Sequence, residues 1–520
     1  MGKRVILALL STLLLGLAWL GVSGVVLLVA LVPLMLLGHG LGDDKRSFFK
    51  MLGWTAAVTG VWSLITTWWV WYAAPIGTVA IFIAHILLFG GATMIWFWLS
   101  KRTRPLIADL VYVCGWVAAE YWLMQGEISF PWLALGNGFA NDIWAIQWYE
   151  YTGVFGGSLW VMLCNVLIYE SLVGRSKKKA AVAAAMAVIP MLISLVIYLN
   201  YEHKGQEVNV TVVQPNIDPY TEKFDSMTQE QQNDILLSLS AEAPADTDYI
   251  IWPETAVDDL IMDQAPNNSG SVYSFQLFLS EHYPEAQLIF GASTYRFYNE
   301  GQQSKTARKR GMMWLDIYNS ALSLDAEGDM AIHHKNKLVV GAEKIPYANV
   351  LIPLLGNVIV DLGGISGQLG TDDAVVVFRR GEEKPTSVAT AICYESIYGS
   401  FLSRFVRGGA QMLTIITNDG WWHDTPGYKQ HFSYARLRAV EMRRSVARSA
   451  NTGISGFISP RGDVLDLLGW AQRGAISHKL TLNNEITFYA AHGDYVARIS
   501  LLLFIMGLLY FIGQRYRNRH

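Results

Sequence analysis

Ala389-Thr390-Ala391-Ile392-Cys393-Tyr394-Glu395-Ser396 is an apolar, strand-like run that delivers one cysteine to the start of a helical stretch. A thiol at such a junction meets backbone N–H groups and the positive end of a helix dipole. That predicts a thiolate more accessible than its free pKa of roughly 8.5 allows, and it marks Cys393 as a candidate nucleophile. A lone cysteine is also a common buried small hydrophobe, so the rest of the chain has to decide.

The chain has 520 residues, is 52% hydrophobic and 16% charged, and carries a formal net charge of -3. Apolar residues crowd into the first 200 positions and the last 25, while the middle has the mixed composition of a soluble domain. This predicts a membrane protein with one large water-exposed insert. The near-neutral charge, with neither a long basic stripe nor a nucleic-acid motif in the insert, gives no case for nucleic acid, and none is expected as a partner. Of three cysteines, Cys114 and Cys164 lie in hydrophobic segments and only Cys393 lies in the insert. It therefore lacks a nearby partner for a structural disulfide.

After a short basic start at Lys3 and Arg4 the sequence stays apolar to Leu41, without the polar turn that would come after a cleaved signal peptide. Eight spans are predicted, at about 5–21, 24–40, 51–73, 78–99, 105–123, 152–173, 180–199 and 497–513. Lys and Arg gather in alternate short connections, at 3–4, 45–50, 101–104, 175–179 and 515–519, and the intervening short loops have none. Both termini are therefore expected in the cytoplasm, with the insert outside. In a cell with two membranes that is the periplasm, and the protein sits in the bacterial inner membrane. A free cysteine kept in an oxidising compartment favours a functional thiol. The expected domains are 1–201 with seven spans, 202–494 as the extracytoplasmic domain, and 495–520 as the last span and tail.

Thr66-Thr67-Trp68-Trp69-Val70-Trp71-Tyr72 and Phe130-Pro131-Trp132-Leu133 read as aromatic clusters near the outer interface, either an ordinary belt or a lipid-binding surface. Glu120 and Glu170 are carboxylates in or at the edge of spans. Such groups are costly enough to be functional candidates, and Glu170 could instead reach an interface.

From Val208 the pattern changes to short β-branched runs. Val208–Val213, Tyr249–Trp252, Gln287–Phe290, Val375–Phe378, Ser387–Ile392 and Met412–Thr417 are expected as buried strands, with helices at 227–242, 272–283, 396–407 and 429–446. That order implies an α/β domain with layered sheets. Glu254 comes after a strand that stops at Trp252-Pro253, and Lys335 lies on a short strand eight residues before Glu343. Singly, an acid after Trp-Pro reads as a cap and such a lysine as a solvated charge.

In the order Glu, Lys, Cys these segments resemble the nitrilase, or carbon-nitrogen hydrolase, superfamily: Ile-Trp-Pro-Glu at 251–254, Lys-Asn-Lys-Leu-Val at 335–339 with Glu343 beyond it, and Ala-Ile-Cys-Tyr-Glu at 391–395. One branch, the apolipoprotein N-acyltransferases, resembles the chain further. The carriers are its spans, Phe130–Leu133, Val213-Gln214-Pro215-Asn216-Ile217, Thr417-Asn418-Asp419-Gly420-Trp421-Trp422, Gln430-His431 and Arg448-Ser449-Ala450-Asn451-Thr452-Gly453. The resemblance covers nearly the whole chain.

It implies an αββα nitrilase-like sandwich above an α-helical membrane domain. It also implies Glu254 as general base, Lys335 as the oxyanion lysine, Cys393 as nucleophile, Glu343 and Glu395 in support, and Trp421 and Trp422 at the substrate. Lys337 competes with Lys335, and the spacing to Glu343 favours Lys335. The family usually reads Val-Pro-Phe-Gly-Glu where this chain has Val339-Val340-Gly341-Ala342-Glu343.

The implied donor is a phospholipid and the implied acceptor a diacylated lipoprotein, with a cysteine thioester between them and no cofactor. His333, His334, His423 and His431 lack a convincing metal-ligand pattern. The rival readings are a membrane-tethered amidase or nitrilase using water, and a transporter or sensor. The glycine-rich stretch from Leu351 to Gly370 is expected as a lid or as buried core, with Trp421 and Trp422 joining it at the membrane surface.

Overall fold

The computed structural model describes residues 2–348, 368–381 and 385–517. These form two units. One holds Met1–Trp71, Pro75–Tyr201 and His492–His520, and the other Tyr72–Ala74 with Glu202–Ala491.

The first unit is helical: α1 (Gly2–Leu17), α2 (Val32–His39), α3 (Lys45–Thr67), α4 (Pro75–Ser100), α5 (Pro105–Gln125), α6 (Tyr149–Val173), α7 (Lys177–Asn200) and α12 (Tyr495–Arg517). Among the described residues six helices, α3 to α7 and α12, are long and apolar enough to cross a membrane. The eight expected full-length spans are not all present. The first is the 16-residue α1, and the second breaks into a 3-10 turn, Gly24–Val29, and then the eight-residue α2. Asn165 explains the break. Its Oδ1 accepts from Leu31 N at 2.7 Å and its Nδ2 donates to Leu27 O at 2.7 Å. Buried backbone groups that a continuous helix would have paired are thus satisfied by a side chain.

The Phe130–Leu133 cluster is neither a belt nor a lipid-facing surface. Phe130, Trp132 and Leu133 are buried, and Trp132 packs on Trp69 with ring centres 4.8 Å apart. Of the other cluster, Trp69 is buried while Trp68 and Trp71 are exposed. Buried Glu120 accepts from Trp116 Nε1 at 3.1 Å and Leu135 N at 2.8 Å, which ties α5 to the loop after it. Glu170 pairs with Lys179 at 2.7 Å across the connection between α6 and α7.

In the second unit fourteen described strands make two sheets. The first sheet runs β14 (Gly474–Thr481), β1 (Glu207–Gln214), β2 (Tyr249–Ile251), β4 (Gln287–Tyr298), β6 (Met313–Leu324) and β5 (Arg308–Arg310), with β3 (Val257–Met262) on β4 and β7 (Met330–His334) on β6. The second runs β13 (Val464–Leu468), β12 (Ser455–Ile458), β11 (Val446–Ala450), β10 (Met412–Thr417), β9 (Thr386–Ile392) and β8 (Val377–Arg380). The sheets meet face to face, as where Ser449 Oγ donates to Val213 O at 2.7 Å. Helices α8 (Gln229–Ser240) and α9 (Gly270–His282) cover the first sheet, and α10 (Gly399–Arg407) and α11 (Pro426–Met442) the second. The result is an αββα sandwich. Its core includes Trp252, Phe275, Phe290 and Leu322.

The expected strands recur, with β4 running eight residues further and β8 displaced by two. The helix expected over 429–446 ends at Met442, because Arg443 takes a left-handed conformation with φ 49° and Val446 opens β11. Most of the expected lid, 351–367, lies outside the described residues.

Candidate active site

β9 and β10 run parallel with Ile392 opposite Ile416, so Cys393 leaves the sheet beside Thr417, the last residue of β10. Cys393 has φ 51°, in the left-handed region that L side chains rarely adopt. The strained turn is fastened from several sides. Ser396 Oγ donates to Cys393 O at 2.7 Å, and His431 Nε2 lies 3.2 Å from the same oxygen. Buried Glu395 accepts from Ile392 N at 2.9 Å and from Asn336 N at 2.6 Å, tying the nucleophile strand to the lysine segment.

Cys393 opens a five-residue 3-10 turn, Cys393–Ile397, and not an α-helix. Little helix dipole is available there. Burial, and after it the Glu254 carboxylate, pushes the Cys393 thiol well above its ordinary range, and the Lys335 ammonium does not offset them. The expected low-pKa thiolate is thus corrected: the proton stays on sulfur until a base removes it.

Glu254 lies just beyond β2, in a segment where Trp252 N donates to Ile289 O at 2.8 Å and Gly291 N to Pro253 O at 3.1 Å. A Cβ on Gly291 would lie 2.6 Å from Glu254 Cα, so only glycine lets the two segments approach this closely. Glu254 Oε1 accepts from Lys335 Nζ and from Asn319 Nδ2, both at 2.8 Å, and Oε2 accepts from Asn418 N at 3.1 Å.

Lys335 is the residue after β7, and its N–H donates to Asn319 O at 2.8 Å. It is 1% exposed, and its Nζ also reaches Glu343 Oε1 at 2.8 Å. Burial alone would lower its pKa, but the Glu254 and Glu343 carboxylates outweigh it and hold the ammonium well above its ordinary value. Glu343 reaches Lys335 despite the local departure in sequence, and its second oxygen accepts from Val339 N at 2.8 Å, which closes the turn on itself. Lys337 points elsewhere, with Nζ 5.5 Å from the Tyr398 ring centre.

Glu254, Lys335, Glu343 and Cys393 line one cavity of about 670 Å³, and Trp421 and Trp422 form part of its wall. Trp422 is buried. Trp421 stacks on Phe224 with ring centres 5.8 Å apart, and its carbonyl accepts from Tyr220 OH at 2.7 Å. Glu395 is placed behind Cys393 and does not line the cavity. Among the described residues no group of three His, Cys, Asp or Glu could hold a metal ion. A thiol, a carboxylate and an ammonium facing one apolar-walled space can carry out acyl transfer through a covalent intermediate: nucleophile, proton acceptor and oxyanion partner are all present.

Sequence reasoning misses Asn319, Asn418 and Gly291. Asn418 lies inside the Thr417–Trp422 motif, but nothing in the local pattern separates it from its neighbours. Asn319 sits in β6, which is not among the expected strands.

The sandwich is a carbon-nitrogen hydrolase fold, and the family profile described as "Carbon-nitrogen hydrolase" matches residues 209–488. A second, "Apolipoprotein N-acyltransferase N-terminal domain", matches residues 11–167. The apolipoprotein N-acyltransferase of Chlorobaculum tepidum is 31% identical over 96% of this chain and 95% of its own length. That of Thermotoga maritima is 25% identical over 94% of this chain and 89% of its own. Among solved structures, an amidase from Nesterenkonia sp. is 14% identical with a TM-score of 0.38, over 57% of this chain and 97% of that one. The chain belongs to the apolipoprotein N-acyltransferase family, and it is membrane-bound.

Proposed function

We propose that the protein transfers a fatty acyl chain from a membrane phospholipid, through a thioester on Cys393, to the N-terminal amine of a lipoprotein's diacylglyceryl-cysteine. The observation that carries the reading is the single cavity shared by Glu254, Lys335 and Cys393, in a chain whose relatives match along both units. That match along the apolar helices favours acyl transfer between lipids over hydrolysis by a soluble-type amidase.

In the first half-reaction Cys393 Sγ attacks the ester carbonyl while Glu254 takes the thiol proton. The tetrahedral oxyanion is stabilised by the Lys335 ammonium and by a backbone N–H beside Cys393. Collapse breaks the ester C–O bond, and Glu254 returns its proton to the departing lysophospholipid alkoxide. In the second half-reaction Glu254 receives the proton lost by the acceptor ammonium. Glu254 releases that proton to solvent, the free amine attacks the thioester, and as the C–S bond breaks Glu254 relays the attacking nitrogen's second proton to the departing sulfur. Glu343 and Asn319 hold Lys335 and Glu254 in register, Glu395 holds the turn behind the sulfur, and Trp421 and Trp422 contact the acyl chain.

The same reading takes 1–201 as the membrane domain, 202–494 as the periplasmic catalytic domain and 495–520 as a final span with a cytoplasmic tail, in the bacterial inner membrane. Because α1 and the broken segment Gly24–His39 come as a pair, the number of crossings stays even whether or not that pair spans. Basic connections on one side support this orientation. The test is to incubate purified protein with phospholipid and a diacylated lipopeptide and weigh both lipids by mass spectrometry. Lysophospholipid and triacylated peptide in equal amounts are expected, whereas free fatty acid without triacylated peptide would indicate a hydrolase.

A further inference from the structure

The cavity wall contains a side-chain amide whose orientation its neighbours dictate. Asn451 Oδ1 accepts from Ile217 N at 3.1 Å and its Nδ2 donates to Ile217 O at 2.7 Å. A backbone N–H only donates and a carbonyl only accepts, so Asn451 has one possible orientation. Its Nδ2 also meets the Asn418 side chain at 3.1 Å, and the Asn418 atom there must be the oxygen. Asn418 Nδ2 is therefore turned away from Asn451. That nitrogen is buried and has no hydrogen-bond partner among the described residues. Asn418 itself is 1% exposed and lines the cavity with Cys393, Glu254 and Lys335.

The amide is also fixed in place. Asn418 N donates to Glu254 Oε2 at 3.1 Å, and strand register sets Thr417 beside Cys393 with Asn418 one residue further on. A buried donor without a partner costs free energy in the resting state, and an oxygen arriving in the cavity removes that cost. In acyl transfer the oxygen that gains negative charge is the acyl carbonyl oxygen. Lys335 Nζ already directs hydrogen bonds at two carboxylates, Glu254 and Glu343, and an ammonium has three N–H in all. One N–H remains for an oxyanion, and a second side-chain donor has a place. Asn319 cannot serve, since its Nδ2 is bound to Glu254 and Glu343 and its unpartnered atom is the acceptor Oδ1.

Resting on the acyl-transfer reading, we propose that Asn418 Nδ2 donates a hydrogen bond to the acyl carbonyl oxygen as it becomes an oxyanion, in both tetrahedral states, beside Lys335. Asn418 is then a catalytic residue, and the resting enzyme holds the donor ready without reorganisation.

The experiment compares two reactions of the same thiol in the full-length protein in phospholipid-detergent micelles. Acylation of Cys393 by phospholipid passes through an oxyanion, whereas alkylation by iodoacetamide does not. Both are monitored on the Cys393 peptide by mass spectrometry, for the wild type, Asn418→Ala and Asn418→Asp. The aspartate variant keeps the oxygen that Asn451 requires, and it carries the same readout if the alanine variant does not fold. The expected result is acylation slower by about 10²–10³, the range for losing one oxyanion donor, with phospholipid KM unchanged and alkylation within about twofold of wild type. Acylation within threefold of wild type, a raised KM with unchanged maximal rate, or equal slowing of both reactions would each overturn the assignment. Failure of the wild type to form any thioester would overturn the acyl-transfer reading itself.

Discussion

Lys335 Nζ and Glu254 Oε1 lie 2.8 Å apart in a pair that is almost wholly buried, and Glu343 reaches the same ammonium from the other side. Two carboxylates on one buried lysine leave a net negative site before any substrate binds. Burial, and after it the Glu254 carboxylate, raises the Cys393 thiol. The two sides of the pair therefore predict losses of rate for different chemical reasons.

Glu254→Gln keeps size and removes the base, and Lys335→Ala removes the oxyanion partner. Each is expected to reduce turnover by at least 10²-fold while the protein still accumulates in the membrane. Lys337→Ala is expected to retain most activity, because its ammonium rests over the Tyr398 ring. Lipopeptide acylation by the three purified variants checks this, and a dead Lys337→Ala enzyme would contradict it.

Gly291→Ala is expected to act on Glu254 from behind. The added Cβ would stand 2.5 Å from Thr255 N and 2.6 Å from Glu254 Cα, so the carboxylate segment has to shift. Overpacking of this kind costs about 1–3 kcal/mol, and a misplaced base loses rate. A lower unfolding midpoint together with at least tenfold slower turnover is expected. Wild-type turnover would show that the segment moves freely.

Asp419 supplies a pH-dependent prediction. The buried carboxylate meets Arg448 Nη2 at 2.9 Å and His431 Nδ1 at 2.9 Å. Against the cost of burial, Arg448 and His431 lower its pKa from 3.8 to about 2. A folded pKa below the unfolded one contributes stability that is present above pH 4 and lost as pH falls through about 2, worth about 2 kcal/mol. Asp419→Asn leaves Arg448 buried without its partner and is expected to cost about 3–5 kcal/mol at neutral pH. In unfolding curves of the detergent-purified proteins, the gap between wild type and variant should narrow by about 2 kcal/mol toward pH 2. A gap independent of pH would contradict the assignment.

Much of the fold and site is legible in the sequence for identifiable reasons. Runs such as Ser387–Ile392 and Met412–Thr417 are buried on both faces and contain little but apolar and β-branched residues, so their pattern survives without context. The strand ends then mark Glu254 and Cys393. The hidden part depends on long-range pairing. Asn319 is put beside Glu254 only by the register of β6 on β4, where Ala292 faces Ser320. The end of α11 carries no glycine or proline, since Arg443 itself adopts the left-handed cap. The break at Leu31 is set by Asn165, 134 residues away in sequence. The thiol's ionisation departs from expectation because burial and Glu254 govern it, and local sequence reveals neither.

Topology is testable without activity. Basic residues flank alternate connections, so reporter fusions at His520 should read as cytoplasmic and insertions at the exposed turn around Gly301 as external. An external signal from His520 would contradict this orientation.

The central claim is that the reaction passes through Cys393, and intact-protein mass spectrometry after phospholipid alone tests it most directly. With no acceptor present, the wild type is predicted to gain one fatty acyl mass that maps to Cys393, leaves on treatment with hydroxylamine and is absent from Cys393→Ala. Full lipopeptide acylation by Cys393→Ala, with no acyl adduct on the wild type, would contradict the covalent mechanism.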